Sequence, residues 1–241
     1  MKVSGTTPRG AASERAAAQW VRGMFGRIAR RYDLLNHLLS FNLDRRWRAR
    51  LVERVAEVLD RREARVLDLC CGTADVLVSL EKRRGRAMLL ASDFCHPMLL
   101  EARRKTAAPL FEADALGLPL ADDSLDLVTI AFGFRNLANY GRGLEELLRV
   151  LKPGGVAAIL EFSTPTNRAF GAVYGFFSAR VLPWVGGVVS GSREAYEYLP
   201  ESIRKFPGAD DLAAQMREAG FSRVEFERLA GGAVALHLAW K

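Results

Sequence analysis

Cysteine is scarce in this 241-residue chain: Cys70, Cys71 and Cys95 are the full complement. Two of them are adjacent and none stands in a C-x-x-C spacing, so neither a disulfide scaffold nor a zinc site is expected, and the reducing cytoplasm fits. Long apolar runs are missing too. The nearest approach to a membrane-spanning length, Ala169–Ser192, is broken by Gly171, Gly175, Arg180, Pro183, Gly186 and Gly187, so no spanning helix is expected. The first twenty residues lack the apolar core of a secretory signal, and Glu14 argues against a transit peptide. What remains, 49% apolar and 26% charged, is the composition of a globular protein, which excludes disorder of the whole chain. The length admits one large domain or two small ones.

Charge is present in excess and placed unevenly. Residues 1–65 hold 15 basic and 7 acidic side chains, a net of +8, while the remaining 176 residues hold 20 and 21, a net of −1. Such a block reads as a solvated, arginine-rich helical face, as a surface for anionic lipid headgroups or, last, as a contact for nucleic acid. Aromatic residues are not interleaved with the arginines as a single-strand binding groove requires, so no nucleic-acid partner is expected.

Residues 1–13 read as a flexible N-terminus. From Ser13, a candidate N-cap, to about Leu59 the apolar spacing is helical, with a second helix starting near Asn42 or Asp44. The pattern then alternates. Strands are expected at Arg65–Cys70, Ala87–Ser92, Pro109–Glu112, Leu125–Phe132 and Val156–Phe162. Helices fall at Asp75–Arg84, Pro97–Lys105 and Leu144–Leu151, the last closed by Lys152-Pro153-Gly154-Gly155. The segment 168–200 is apolar and irregular. Asp210–Ala219 reads as a helix, followed by a hairpin-like pair, Arg223–Arg228 and Ala233–Ala239. Strand alternating with helix implies an α/β fold: a seven-stranded, mostly parallel sheet with helices on both faces. The expected layout is one domain: a helical extension over 14–62, a core over 65–163, a lid over 165–205 and a closing helix and strands over 206–241.

In open sheets of this kind ligands bind beyond the carboxyl ends of the strands. After the first strand, Asp68 to Asp75 contain a single glycine, Gly72, where the backbone can approach a ligand. G-x-G-x-x-G is absent, which disfavours a pyrophosphate, and Asp68 and Asp75 suit a cationic ligand. Asp93, at the end of the second strand, either caps the next helix or accepts the hydroxyls of a ribose. Asp114 follows the third strand and can accept from an adenine amino group, with Ala115 and Leu116 flanking the ring. Together these describe an adenosine site without phosphate recognition. The combination, with Arg149 to Gly155 before the fifth strand, resembles the class I S-adenosylmethionine-dependent methyltransferases, and implies their Rossmann-like fold and S-adenosyl-L-methionine as cofactor.

Further segments narrow the likeness. Met24 to Asn36, Leu39-Ser40-Phe41 and Arg45-Arg46-Trp47 resemble the N-terminal signature of the ubiquinone/menaquinone C-methyltransferase family. Ala131-Phe132-Gly133-Phe134-Arg135-Asn136, Leu160 to Ser163, Tyr196 to Ile203 and Gly231 to His237 match the same family in order, over about residues 20–241. The chain departs from it in the first loop, where that family usually has two further glycines and Gly rather than Ala74, and at Ala131, where many members have a serine near the cofactor.

The resemblance implies methylation of a ring carbon of a prenylated hydroquinone, demethylmenaquinol first and the polyprenyl methoxybenzoquinol as a second acceptor, with no metal. It implies cofactor contacts from Asp68, Gly72, Thr73, Asp93, Asp114, Ala115 and Ala131. Arg135 is expected to stabilise the phenolate or orient a water that takes the proton, Asn136 to bond the ring oxygens, and Tyr32, Asp33 and Asn36 to close the pocket. Tyr198 and Ser202 are expected to line the lid. His37 is read as structural, with a general base as the alternative, and His96 and His237 as structural. Phe176, Phe177, Leu182 and Trp184 suit either a polyprenyl tail or core packing. A peripheral contact of the basic helices with the inner membrane face and a homodimer fit the same picture. The competing readings are another lipid or phenol as acceptor, and a non-catalytic cofactor-binding scaffold.

Overall fold

The computed structural model describes residues 5–8, 10–40, 42–83, 87–165 and 193–241. Seven strands form one sheet: β1 Arg65–Leu69, β2 Met88–Asp93, β3 Leu110–Glu112, β4 Leu125–Ala131, β5 Leu151–Phe162, β6 Arg223–Leu229 and β7 Val234–Trp240, in the order β3-β2-β1-β4-β5-β7-β6. The first five strands run parallel, and β7 runs antiparallel to both β5 and β6. The final pair is the expected hairpin, turned through Gly231 and Gly232 at positive φ.

Helices cover both faces, so the central strands are apolar on both sides. Alternation decides which side each residue serves. Val66, Leu127, Ala158 and Leu160 pack with Leu51, Leu77 and Leu80 of helices α3 (Leu43–Arg54) and α5 (Asp75–Arg83). Leu67, Val128, Ala157 and Ile159 pack with Leu144, Leu147 and Met216 of α7 (Tyr140–Val150) and α9 (Ala209–Glu218). The short α4 (Ala56–Leu59) extends the first layer, and α6 (His96–Ala102) follows β2.

The N-terminal helices lie over the carboxyl ends of the strands. Helix α1 (Glu14–Ile28) starts where Ser13 Oγ accepts from the Ala16 N–H at 3.1 Å, and buries Ala17, Val21, Met24 and Ile28, one helical face. That face meets Tyr198 of helix α8 (Arg193–Lys205), whose ring sits 5.1 Å from that of Trp20. A 3-10 turn at Ala29–Arg31 then redirects the chain into α2 (Tyr32–Leu39). Within the segment read as flexible, Gly5, Thr6 and Pro8 are buried: the Thr6 N–H donates to the Leu137 carbonyl at 2.8 Å, and Gly5 lies so close to the Ala138 carbonyl that a Cβ there would overlap it. Most of the expected lid, including Phe176, Phe177, Leu182 and Trp184, lies outside the described residues.

His237 on β7 is buried, and its Nε2–H donates to the Ala209 carbonyl at 2.8 Å. Burial pushes its pKa down to about 4 from 6.5. The unfolded chain therefore takes up this proton first as the pH falls, and the contribution of the neutral ring, intact above pH 6.5, is lost towards pH 4. A shift of that size corresponds to about 3 kcal/mol. In urea titrations at pH 7 and pH 4, the stability gap between the wild type and His237→Gln is expected to narrow by about that amount. An equal gap at both pH values would contradict the buried neutral imidazole.

Candidate active site

The carboxyl edge of the sheet opens into a cavity between the loops after β1, β2, β3 and β4 and the N-terminal helices. Of the residues expected at the site, Gly72, Thr73, Asp93, Asp114, Ala115 and Ala131 line it. So do Tyr32, Asn36 and Asn136.

The loop after β1 is shaped by backbone conformation. Cys70, Gly72 and Ala74 all have positive φ, at 54°, 55° and 70°. Glycine adopts this region freely, whereas a residue with a Cβ pays on the order of 1 kcal/mol. The three alternate positions explain why a loop of this shape favours three glycines, and locate the departure at Cys70 and Ala74. The ring of Tyr32 stands over Gly72; a Cβ there would lie 3.7 Å from Tyr32 Cε1.

Asp93 is buried at the tip of β2. One carboxylate oxygen accepts from the Gly72 N–H at 2.8 Å and the other from the Cys95 N–H at 2.9 Å. Asp93 thus steadies the residue before α6 and also lines the cavity. Burial raises its pKa to about 6, against the lowering effect of these N–H donors. The Asp114 carboxylate holds its own loop through the Leu116 N–H, at 2.9 Å.

Other expected residues stand elsewhere. Asp68 does not line the cavity. It is buried in β1 behind the loop, where one oxygen accepts from Thr129 Oγ1 at 2.7 Å and the other from the Leu77 N–H at 3.1 Å, and burial raises its pKa to about 7. Asp33 pairs with Lys105 and accepts from Thr73 Oγ1, tying α2 to the first loop. Tyr198 reaches the site only from behind. Its hydroxyl donates to Asn136 Oδ1 at 2.9 Å and meets Thr6 Oγ1 at 2.7 Å. Ser202 is farther off, and its hydroxyl donates back to the Leu199 carbonyl of its own helix.

Arg135 is not a surface ion pair, nor does it line the cavity. In the short 3-10 turn Phe134–Asn136 after β4 it is 5% exposed, and its Nη1 donates to Glu161 Oε1 at 2.9 Å and to the Phe132 carbonyl. Its backbone N–H also donates to Glu161, and its guanidinium lies 5.2 Å from the Phe162 ring centre. The Nε–H is buried without an acceptor among the described residues. Burial dominates the raised pKa of Tyr32, and the charge of Arg135 pulls against it.

Three residues that carry this geometry had no role assigned from sequence: Glu161, Arg48 and Lys105. Glu161 was hidden because nothing in an apolar strand pattern marks which arginine its one carboxylate will meet. Lys105 Nζ bridges Asp33, Asp75 and Thr73.

The cavity suits a cationic nucleoside. Among the described residues, Asp75, Asp93 and Asp114 line it against a single cation, Arg48. Such a wall repels a pyrophosphate and attracts a sulfonium. No cluster of three or more metal-ligating side chains occurs among the described residues.

Comparison with known proteins decides the family. The model of the ubiE/COQ5 methyltransferase family matches residues 12–241. The chain belongs to that family. Its relatives include the demethylmenaquinone methyltransferase of Thermus thermophilus, 50% identical over 89% of this chain and 98% of that one. The protein of the same name from Deinococcus radiodurans is 46% identical over 89% of each chain. The ubiquinone/menaquinone biosynthesis C-methyltransferase UbiE of Dinoroseobacter shibae is 38% identical over 92% of this chain and 90% of that one. The fold is shared with an S-adenosylmethionine-dependent methyltransferase from Thermotoga maritima, with a TM-score of 0.63 at 18% identity over 92% of this chain and 99% of that one. The Rossmann-like class I methyltransferase fold expected from the sequence is the fold found. Among the described residues of this ubiE/COQ5 family member, no helix is long and apolar enough to cross a membrane.

Proposed function

We propose that this chain transfers the methyl group of S-adenosyl-L-methionine to a ring carbon of a prenylated hydroquinone, demethylmenaquinol first and the polyprenyl methoxybenzoquinol second. The observation that carries the reading is the acidic, phosphate-averse cavity at the sheet edge of a ubiE/COQ5 family member, next to an Asn136–Tyr198 pair and a buried arginine.

Asp93 takes the ribose hydroxyls, Asp114 the adenine amino group with Ala115 against the ring, and the Gly72–Thr73 backbone and Ala131 bound the remainder. When bound, the donor supplies an electrophilic methyl group. The acceptor must present a nucleophilic ring carbon, which a hydroquinone does once one hydroxyl has lost its proton. Asn136 and Tyr32, on the cavity wall, bond and orient the ring oxygens. Tyr198 fixes the rotamer of Asn136 by donating to its Oδ1. Arg135, buried behind the cavity wall, supplies positive charge to the developing phenolate or to a water that takes the proton. Holding methyl and carbon in line supplies much of the acceleration.

The basic N-terminal helices rest against anionic headgroups at the inner membrane face, where a polyprenyl quinol resides, and Asp33 and Asn36 of α2 close the site on that side. The enzyme is cytoplasmic and peripheral, and a homodimer is compatible with it.

Incubation with methyl-labelled donor and each reduced acceptor tests the reading. Methylated naphthoquinol is expected, and turnover of the benzoquinol would show dual specificity. If the chain binds S-adenosylhomocysteine and methylates neither quinol, the acceptor assignment fails.

A further inference from the structure

Residues 5–8 form a docked strap. They precede the segment that the family model matches, yet they pack against the loop that continues the cavity wall. Gly5, Thr6 and Pro8 are buried. The Thr6 N–H donates to the Leu137 carbonyl, and a Cβ on Gly5 would overlap the Ala138 carbonyl. On the other side, Lys205 Nζ of α8 donates to the Thr7 carbonyl at 3.1 Å and to Thr7 Oγ1 at 3.0 Å. Gly10, at φ 82°, turns the chain back towards α1. There Glu14 accepts from Asn139 Nδ2 at 2.8 Å. The strap is thus held by the loop 137–139 and by α8 together.

What it holds is the back of the cavity. Thr6 Oγ1 stands 2.7 Å from the Tyr198 hydroxyl, which stands 2.9 Å from Asn136 Oδ1, and all three residues are buried. The order of protons along this chain follows from its far end. The Phe132 carbonyl can only accept, and it faces Asn136 Nδ2 at 3.4 Å. Oδ1 therefore faces Tyr198 and takes its single proton, and the Tyr198 oxygen takes the proton of Thr6. Both hydroxyls donate in one direction, from the strap towards the cavity. Asn136 lines the cavity. With its carbonyl engaged from behind, it offers its NH2 group there, the polarity that a phenolate oxygen requires.

Resting on the acceptor assigned above, we infer that Thr6 is a positioning residue for the quinol: through Tyr198 it holds the Asn136 amide with its donor side towards the ring oxygen. The strap belongs to the acceptor site although none of it lines the cavity. Without the Thr6 hydroxyl, the buried Tyr198 oxygen loses its donor. Asn136 Nδ2 is the nearest replacement, and taking that place turns the amide over and aims Oδ1, which repels a phenolate, at the cavity.

Two variants of the full chain test this: Thr6→Val, which keeps the shape and removes the hydroxyl, and Thr6→Ser, which keeps the hydroxyl. Thr6→Val is expected to lower kcat for demethylmenaquinol about 10-fold, less than the roughly 100- to 1,000-fold of losing an oxyanion donor outright. Affinity for S-adenosylhomocysteine should not change, and Thr6→Ser should restore turnover. In an Asn136→Ala background Thr6→Val should cost nothing further. Unchanged turnover in Thr6→Val, a loss that persists in that background, or an equal loss of S-adenosylhomocysteine binding overturns the inference. A second readout needs no turnover: the side-chain amide of Asn136 in nitrogen-15 NMR spectra, identified by its absence from Asn136→Asp. It should shift in Thr6→Val and return in Thr6→Ser, and an unmoved resonance also overturns the inference. Should Thr6→Val not fold, Gly5→Ala, which displaces the strap with Thr6 intact, is expected to give the same shift. A wild type that binds S-adenosylhomocysteine and methylates neither quinol, while the amide still responds to Thr6, refutes the acceptor reading and leaves the positioning of Asn136 standing.

Discussion

Replacing Arg135 with alanine is expected to destabilise the fold by about 3–5 kcal/mol, because it leaves the Glu161 carboxylate buried without its partner. Glu161 is 1% exposed and spends one oxygen on Nη1 and the other on the backbone N–H of Arg135. Removing both charges should cost less than the sum of the single changes. Urea unfolding of Arg135→Ala, Glu161→Ala and the double variant measures that coupling, expected at about 1–3 kcal/mol. The same set separates packing from chemistry. If Arg135 serves the phenolate, the folded double variant binds S-adenosylhomocysteine normally and still loses two or more orders of magnitude in kcat. A double variant with restored stability and near-normal turnover would reduce Arg135 to one half of a structural pair.

Cofactor affinity is expected to collapse in Asp93→Ala, by about 100-fold, as two charge-assisted hydrogen bonds to ribose hydroxyls are lost. The substitution also strips acceptors from the Gly72 and Cys95 N–H groups, so a stability loss of about 2 kcal/mol should accompany it. The pH dependence has a defined sign. Only the ionised carboxylate accepts both hydroxyls, and burial has raised its pKa to about 6. Binding of S-adenosylhomocysteine to the wild type should therefore be flat above pH 6 and weaken by up to tenfold per unit below it. For folding the sign reverses. The native carboxyl takes up its proton before the unfolded one, so this group favours the fold as pH falls from 6 to 4, opposite to His237. A binding profile flat to pH 5 would remove Asp93 from the ribose.

Much of this was legible in the sequence because period-two apolar strands and the residues at their carboxyl ends are local signals. All seven strands and their partly antiparallel end could be read, as could the nine expected residues that line the cavity. Boundaries failed where tertiary contacts override propensity. Helix α7 begins at Tyr140 rather than Leu144: Asn139 Oδ1 caps it through the Arg142 N–H, while Gly141 and Gly143 disguise its first turn. Gly143 is there for packing, since a Cβ would come within 2.5 Å of Leu137 Cδ2. Strand β5 begins at Leu151 rather than Val156. The Lys152–Gly155 turn is a detour between two paired stretches, Leu151 opposite Leu125 and Val156 opposite Leu127, with Gly154 at φ 77° bonded to Lys241.

The site was legible as a set of acceptors but not as a network. That Arg135 is buried against Glu161, that Asp68 turns to Thr129 and Leu77, and that Ser202 bonds its own helix depend on partners far apart in sequence. The left-handed backbone at Cys70 and Ala74 was masked because neither is glycine.

The most direct test of the account is where the methyl group lands. A single turnover with methyl-labelled S-adenosylmethionine and reduced demethylmenaquinone, followed by mass spectrometry and NMR of the product, resolves carbon from oxygen. The account predicts the label on the ring carbon ortho to a hydroxyl, absent from the product of the folded Arg135→Ala/Glu161→Ala variant. Label on a ring oxygen, or no transfer from a chain saturated with donor, would contradict it.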